Sequence, residues 1–348
     1  MTGKTSLFTI LTGVHQETRI GSTAVRTGVT KVPDPRLDEL AKLFEPLKVT
    51  PASVEYADMP SISKESLRDP SYLATLRVVD AFAHVLRFFK SESVPHEKGS
   101  IDPVRDLEDV ETELILSDLV VVEKRLERLD KDRKKIKSPE LDHEFDLLTK
   151  CKVELEANRP LRNLTLDHEE EKRVRGFQFL SQKSMLFVLN LDESEAGRMQ
   201  EREDEFRKTT LAGRSGVDAV AICGKVEAEL AELPPEEAME FLAGFGLTES
   251  GLVRLIGATY RLQGLMSFLT AGADEVRAWT VPIGSTAPKA AGAIHSDFEK
   301  KFIKAQVVNW KNLVDLGGYA GVREKGLLRL EGKEYIVKDG DVLEIRHG

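Results

Sequence analysis

The hydrophobic and polar positions change period along the chain, and each change marks a part of it. Met185-Leu-Phe-Val-Leu-Asn190 is an unbroken apolar run closed by a polar residue and reads as a short buried strand, and Val217-Asp-Ala-Val-Ala-Ile222 reads as another strand. From Arg105 to about Gly176 the pattern turns helical. Ile115, Leu119, Val122, Leu126 and Leu129 are spaced 4, 3, 4 and 3. Leu141, Phe145, Leu148 and Leu155 continue such a stripe after Ser138 as N-cap and Pro139 at the first helical position. Two helices packed along these stripes predict an antiparallel coiled-coil hairpin. Because strand-like sequence precedes and follows it, the hairpin is expected as an insertion inside an α/β domain. The first hundred residues alternate helical and strand-like pieces, broken at Pro33-Asp-Pro35 and Pro51. The last seventy begin with Trp279 to Gly284, and near their end Tyr335 and Val337, then Val342, Leu343 and Ile345, flank a tight Lys338-Asp-Gly-Asp341 turn. A small, separate α+β unit is predicted there.

Composition narrows the class. A chain of 348 residues suits two or three domains, and 41% hydrophobic against 31% charged residues excludes extended disorder and a fibrous repeat. The net charge of −9 argues against a wholesale polyanion binder. The charge is uneven, however: from Arg277 onward there are 12 Lys/Arg against 9 Asp/Glu. A mildly basic terminal unit on an acidic body is a candidate RNA contact. Within it Lys300, Lys301 and Lys304 are expected on one helix after Asp297, where residues three and four apart share a face. The two cysteines, Cys151 and Cys223, are far apart and support neither a disulfide framework nor a zinc site. No apolar run approaches the ~20 residues of a membrane helix. Ser6-Leu-Phe-Thr-Ile-Leu11 is too short for a secretion signal and has no small-residue cleavage site after it. A cytoplasmic protein with no membrane or DNA partner is expected.

Three short elements carry candidate chemistry. Gly3-Lys4-Thr5-Ser6 matches the second half of the phosphate-binding loop G-x-x-x-x-G-K-[ST], in which backbone N–H groups and a Lys hold phosphates and a hydroxyl holds Mg²⁺. Asn190-Leu-Asp-Glu193 directly follows a buried strand, where an amide and a carboxylate can meet a purine edge or simply end the strand in a polar turn. Glu55, near the end of the strand-like Val54 to Asp58, can meet Mg²⁺ through water, although an exposed carboxylate is equally expected there without function.

Four longer runs carry a family resemblance: KVPDPRLDEL from Lys31, DPVRDLEDVETEL from Asp102, FLTAGADEVRAW from Phe268 and TAPKAAGAIHSDFEK from Thr286. With them the chain resembles, over nearly its whole length, the YchF group of Obg-related P-loop NTPases, the Obg-like ATPases. The resemblance implies a Ras-like α/β P-loop nucleotide domain (1–104 and 182–276), a coiled-coil insertion (105–181) and a C-terminal β-grasp, ubiquitin-like TGS domain (277–348). It also implies a preference for ATP over GTP, with Asn190 and Glu193 matching the family's N-x-x-E base reader, and Mg²⁺ accompanying the nucleotide. Gly3, Lys4, Thr5 and Ser6 match the phosphate loop. Thr5 and Ser22 match the Mg²⁺-binding hydroxyls, and Glu55 the carboxylate of the second switch. His96, in Val94-Pro-His-Glu-Lys-Gly99, matches the family's catalytic His, whose task is to orient or deprotonate the attacking water. The implied partner is the ribosome or its RNA, and a monomer is expected.

The sequence departs from the family pattern around the phosphates. Read as Glu55-Tyr-Ala-Asp58, the second switch D-x-x-G carries an acid in place of its Gly, and that acid would repel a terminal phosphate by about 1–4 kcal/mol at contact distance. In the first switch the Glu-Pro after the hydroxyl becomes Ala24-Val25. The complete phosphate loop also needs a Gly five residues before Gly3, so either the coding sequence starts upstream of Met1 or the chain is a divergent copy with a truncated loop. The second-switch changes favour a divergent copy with reduced or absent hydrolysis. The protein is then expected to be a slowly hydrolysing, ribosome-associated nucleotide switch. The alternative is a catalytically degenerate scaffold acting through its coiled coil and TGS domain.

Overall fold

The structure, a computed structural model, describes residues 2–14, 25–91, 94, 96 and 98–348. In chain order these form α1 (Lys4–Thr12), β1 (Arg26–Lys31), α2 (Pro35–Phe44), β2 (Lys48–Thr50), β3 (Ser53–Asp58), α3 (Pro70–Val78), β4 (Ala81–Arg87), α4 (Pro103–Arg133), α5 (Pro139–Glu156), α6 (His168–Val174), β5 (Ser184–Asn190), α7 (Met199–Thr209) and β6 (Val217–Ile222). There follow α8 (Gly224–Leu230), α9 (Pro235–Gly244), α10 (Gly251–Leu262), β7 (Leu265–Ala271), β8 (Glu275–Pro282), α11 (Ala287–Ile294), α12 (Ser296–Lys300), β9 (Phe302–Asn309), α13 (Trp310–Asp315), α14 (Tyr319–Glu324), β10 (Arg329–Glu331) and β11 (Asp341–His347). Two compact units result, Met1–Arg26 with Ala57–Leu255, and Thr27–Tyr56 with Ile256–Gly348. Among the described residues no helix is long and apolar enough to cross a membrane.

The first unit is built on the parallel sheet β4-β5-β6. β5 lies in the middle with every residue from Met185 to Asn190 buried, as its unbroken apolar run demands. Met185, Phe187 and Leu189 join Tyr72, Leu76, Leu107, Leu114 and Phe206 in one core cluster. Parallel neighbours need crossovers, and the chain supplies α4 to α6 between β4 and β5, and α7 between β5 and β6. The register pairs Arg87 with Asn190, and Asn190 with Ile222, so all three strands end together. Loops leaving the carboxyl ends of parallel strands are where α/β sheets hold ligands.

α4 and α5 carry the predicted stripes. Ile115, Val122 and Leu129 of α4 are buried against Leu148, Cys151 and Leu155 of α5, with Leu119 and Leu126 half-buried among them. Arg125 clasps Glu144 through two bonds of 2.7 Å, and Arg133 meets Asp142 at 2.5 Å. α5 does begin at Pro139, but the Ser138 hydroxyl bonds the Glu140 carboxylate rather than a helix N–H.

Two acids on the inner face of α4 stand seven residues apart and are buried, Glu111 and Asp118. The Asp118 carboxylate accepts from the backbone N–H groups of Leu180 at 2.9 Å and Ser181 at 2.7 Å, which ties the helix to the segment entering β5. Burial outweighs these bonds and pushes its carboxyl up to about 6. A folded-state value above the unfolded 3.8 means that the native state holds the proton more tightly. The stability this gives is therefore present below about pH 4 and lost as pH rises through about 6, a change of about 3 kcal/mol. The unfolding free energy of wild type minus that of Asp118→Asn is expected to fall by about this amount between pH 4 and 7. Urea titrations at the two pH values showing a constant difference would refute it.

The second unit is a six-stranded mixed sheet in the order β10-β9-β11-β7-β8-β2, with β7–β8, β9–β11 and β9–β10 antiparallel, and β7–β11 and β2–β8 parallel. One face packs Phe268, Val281, Ala287, Ala291, Phe302 and Val307. The turn at 338–341 is present, closed by Asp341 N–H to Lys338 O at 3.1 Å. Its upstream arm does not pair with β11. Instead Tyr335 O accepts from Ala287 and the Val337 N–H donates to Ser285 O. The lysine helix also differs from expectation: α12 ends at Lys300, and Lys304 lies on β9. Ala305 and Val307 bury two apart, at strand spacing, and Phe302 reaches the same core past a register shift opposite Arg346 and His347, which overrides a helical reading of the lysines. All three lysines are exposed, but they share no helix face.

Candidate functional site

The site is assembled at the N-terminus of α1. Gly3 precedes the helix in the left-handed region, at φ 87°, and its carbonyl accepts the first helical bond, from Leu7 at 3.0 Å. Leu7 and Phe8 are buried and anchor the helix, while Thr5 and Ser6 are exposed at its start. Lys4 turns its ammonium onto Asp58 and onto the carbonyl of Met59. Thr5 Oγ1 donates to Asp58 Oδ2 at 3.1 Å. Arg26, at the start of β1, pairs with the same carboxylate, and its guanidinium lies 5.3 Å from the centre of the Phe8 ring. Burial raises the Asp58 carboxyl, but the bonds from Lys4 and Arg26 outweigh it and hold the group below the usual carboxylate range.

Asp58 was missed as a site residue in the sequence, and it corrects the reading of the second switch. The carboxylate beside Lys4 and Thr5 belongs to Asp58, whereas Glu55 is exposed on β3. Residues three apart on a strand face opposite ways, so only one of the two acids can turn inward. The D-x-x-G element is then Asp58-Met-Pro-Ser61, with Ser in the Gly position. Asp58 sits where an acid partners the loop hydroxyl, so the expected repulsion of a terminal phosphate by an acid at the Gly position falls away. Ser22 lies outside the described residues.

At the end of β5, Asn190 is buried and works as a strut. Its Nδ2 donates to Thr2 O and its Oδ1 accepts from Gly224 N–H, both at 2.9 Å, so it joins the turn before α1 to the turn before α8. Glu193 instead forms an exposed ion pair with Lys225, leaving one face of this turn lined by a carboxylate and an ammonium. Sequence spacing placed both residues at a strand end but gave no sign that Asn190 also ties down the turn before α1.

His96 is held on both ring nitrogens. Nδ1 accepts from Lys98 N–H at 3.2 Å, which places the proton on Nε2, 3.0 Å from Asp106 Oδ2. Arg105 braces the other oxygen of Asp106 at 2.8 and 3.0 Å. Nearby on β4, His84 Nδ1 is buried without a hydrogen-bond partner, and burial pushes that ring down to about 4, so it is neutral.

A parallel sheet, a Gly-Lys-Thr turn opening a helix and an inward strand-end Asp together define a P-loop nucleotide domain, here joined to a C-terminal domain. Residues 265–348 match the family model YchF-GTPase_C, described as a protein of unknown function (DUF933). The chain is 39% identical to the ribosome-binding ATPase YchF of Bacillus subtilis, over 99% of this chain and 96% of that one. It is 40% identical to the ribosome-binding ATPase YchF of Haemophilus ducreyi, over the same shares. It also matches the structure of the Schizosaccharomyces pombe YchF GTPase with a TM-score of 0.84 at 26% identity, covering 99% of this chain and 95% of that one. The chain belongs to the YchF family.

Proposed function

We propose that the protein is an ATP-binding, slowly hydrolysing P-loop switch of the cytoplasm that associates with the ribosome, acting as a monomer. The observation that carries this reading is the Asn190 strut: one buried amide fixes the Lys4-Thr5 turn against the loop that follows β6, so phosphate and base ends of a nucleotide meet a single preset frame. Lys4, with the first N–H groups of α1, is the phosphate end. Glu193 and Lys225 are the base end, and their pair can exchange for bonds to an adenine amino group and ring nitrogen. The names of the relatives, ribosome-binding ATPases, favour this reading over a degenerate scaffold.

His96 is the group that would position the attacking water. As placed, both of its nitrogens are engaged, so it must leave Asp106 before Nε2 can meet a water. That requirement accords with slow turnover. Residues 105–181 are assigned as the coiled-coil insertion and 277–348 as the TGS domain, whose exposed Lys300, Lys301 and Lys304 are the proposed contacts to ribosomal RNA. Mg²⁺ would enter with ATP as its counter-ion. Thr5 and Asp58 are the oxygens that would hold it, but Arg26 already occupies the same carboxylate.

Calorimetry of the full-length protein is expected to show ATP binding tighter than GTP. His96→Ala should keep ATP affinity while lowering turnover by about 10²–10⁴-fold. No heat at millimolar ATP would overturn the function, and unchanged turnover in His96→Ala would remove that residue from it.

A further inference from the structure

We propose that Arg26 replaces a protein-held Mg²⁺: its guanidinium is the resident cation on Asp58, so this chain binds nucleotide without a divalent metal bridging Thr5 and Asp58. Resting on the nucleotide-binding reading above, this names the cofactor requirement of the same site. In P-loop enzymes the loop hydroxyl and the strand-end Asp hold the metal between them. Here those two groups already touch, Thr5 Oγ1 to Asp58 Oδ2 at 3.1 Å, and the same Oδ2 takes Arg26 Nη2 while Oδ1 takes Lys4 Nζ. A metal entering at Thr5 would have to share its carboxylate oxygen with a cation in place and would meet like charge at contact distance.

Arg26 is built into this position. Along β1 Arg26 and Gly28 are buried while Thr27 and Val29 are exposed, so strand alternation places the Arg26 side chain on the inward face, toward Asp58. Its side chain is 7% exposed and rests near the Phe8 ring, and a guanidinium stays charged when buried, as a Lys often does not. Lys4 and Arg26 against Asp58 leave one surplus positive charge at the N-terminus of α1, which a phosphate neutralises. The charge that Mg²⁺ would supply from solution is supplied by the chain.

The test is calorimetric titration of the full-length protein with ATP, once with excess Mg²⁺ and once with EDTA. The two dissociation constants are expected to agree within about threefold, and Mg²⁺ alone should not raise the melting temperature. In Arg26→Gln the metal requirement should return, with binding about tenfold or more weaker in EDTA than in Mg²⁺. If wild-type affinity falls about tenfold or more in EDTA, the Arg26 assignment is wrong and nucleotide binding stands. If ATP is undetectable under both conditions, both readings are overturned. Should Arg26→Gln fail to fold, the wild-type comparison decides alone.

Discussion

Glu111→Ala is expected to lower the unfolding free energy by about 3–5 kcal/mol, the cost of breaking a buried ion pair by removing one partner. Glu111 lies on the inner face of α4 and pairs with Arg162, whose side chain is 3% exposed, and with Arg214 at 2.5 Å. Burial, with Arg214 nearby, pushes the Arg162 guanidinium down to about 10, so the site already strains to hold two cations. Without the carboxylate the two guanidinium groups lose their shared counter-ion, and Arg162 is too buried for full hydration. The backbone pays as well, because Arg162 also donates to Ser181 O at 3.2 Å and so helps seat the chain entering β5. Urea unfolding followed by circular dichroism reads the loss directly. Glu111→Leu combined with Arg162→Met should recover most of it, since apolar replacement of a whole buried pair is commonly neutral or stabilising. A loss under about 1 kcal/mol in Glu111→Ala would mean that water reaches these groups in solution.

The same helix shows what the sequence discloses and what it hides. Its outer stripe was legible because Ile115, Val122 and Leu129 are apolar at heptad spacing, and only a partner helix can cover such a seam. The inner face was not, since Leu107, Glu111, Leu114 and Asp118 read as a stripe interrupted by acids, and acids on a long helix are usually solvated. The signal was present in the 4, 3, 4 spacing, but the partners lie at Arg162, Leu180, Ser181 and Arg214, and chain distance conceals them. β5 was plain for the opposite reason, that an apolar run buried on both faces needs no partner to be recognised. At the site, Lys4, Thr5 and Asn190 carry motif signals. Asp58 and Arg26 do not, because two carboxylates end the strand and only its pleat decides which turns inward. Arg26 is one of 50 basic residues, and its burial comes from alternation along a strand preceded by residues outside the described set. The lysines at 300 to 304 mislead in the reverse direction, as charge spacing suggests a helix where Lys304 lies on β9 and Ala305 and Val307 bury at strand spacing.

Gly3→Ala joins backbone strain to a steric collision, and both act on the nucleotide frame. At φ 87° an L-residue with a Cβ costs roughly 1–2 kcal/mol. The added Cβ would also lie 2.6 Å from Asn190 Nδ2, and Asn190 cannot withdraw because β5 is buried on both faces. Displacing that amide breaks its bonds to Thr2 O and Gly224 N–H, each contributing about 0.5–1.5 kcal/mol. A total loss of about 2–5 kcal/mol follows, with ATP affinity reduced about tenfold or more because the phosphate turn and the base loop lose their common strut. Gly13→Ala is the matched control. It also has positive φ, at 70°, but its Cβ would meet nothing within 4 Å, so only the backbone term of roughly 1–2 kcal/mol applies. Thermal and urea unfolding of the two variants, with ATP titrations of each, separate strain from collision. If Gly3→Ala matches Gly13→Ala in stability and keeps its ATP affinity, Asn190 does not couple the two loops, and the base and phosphate ends of the site are held independently.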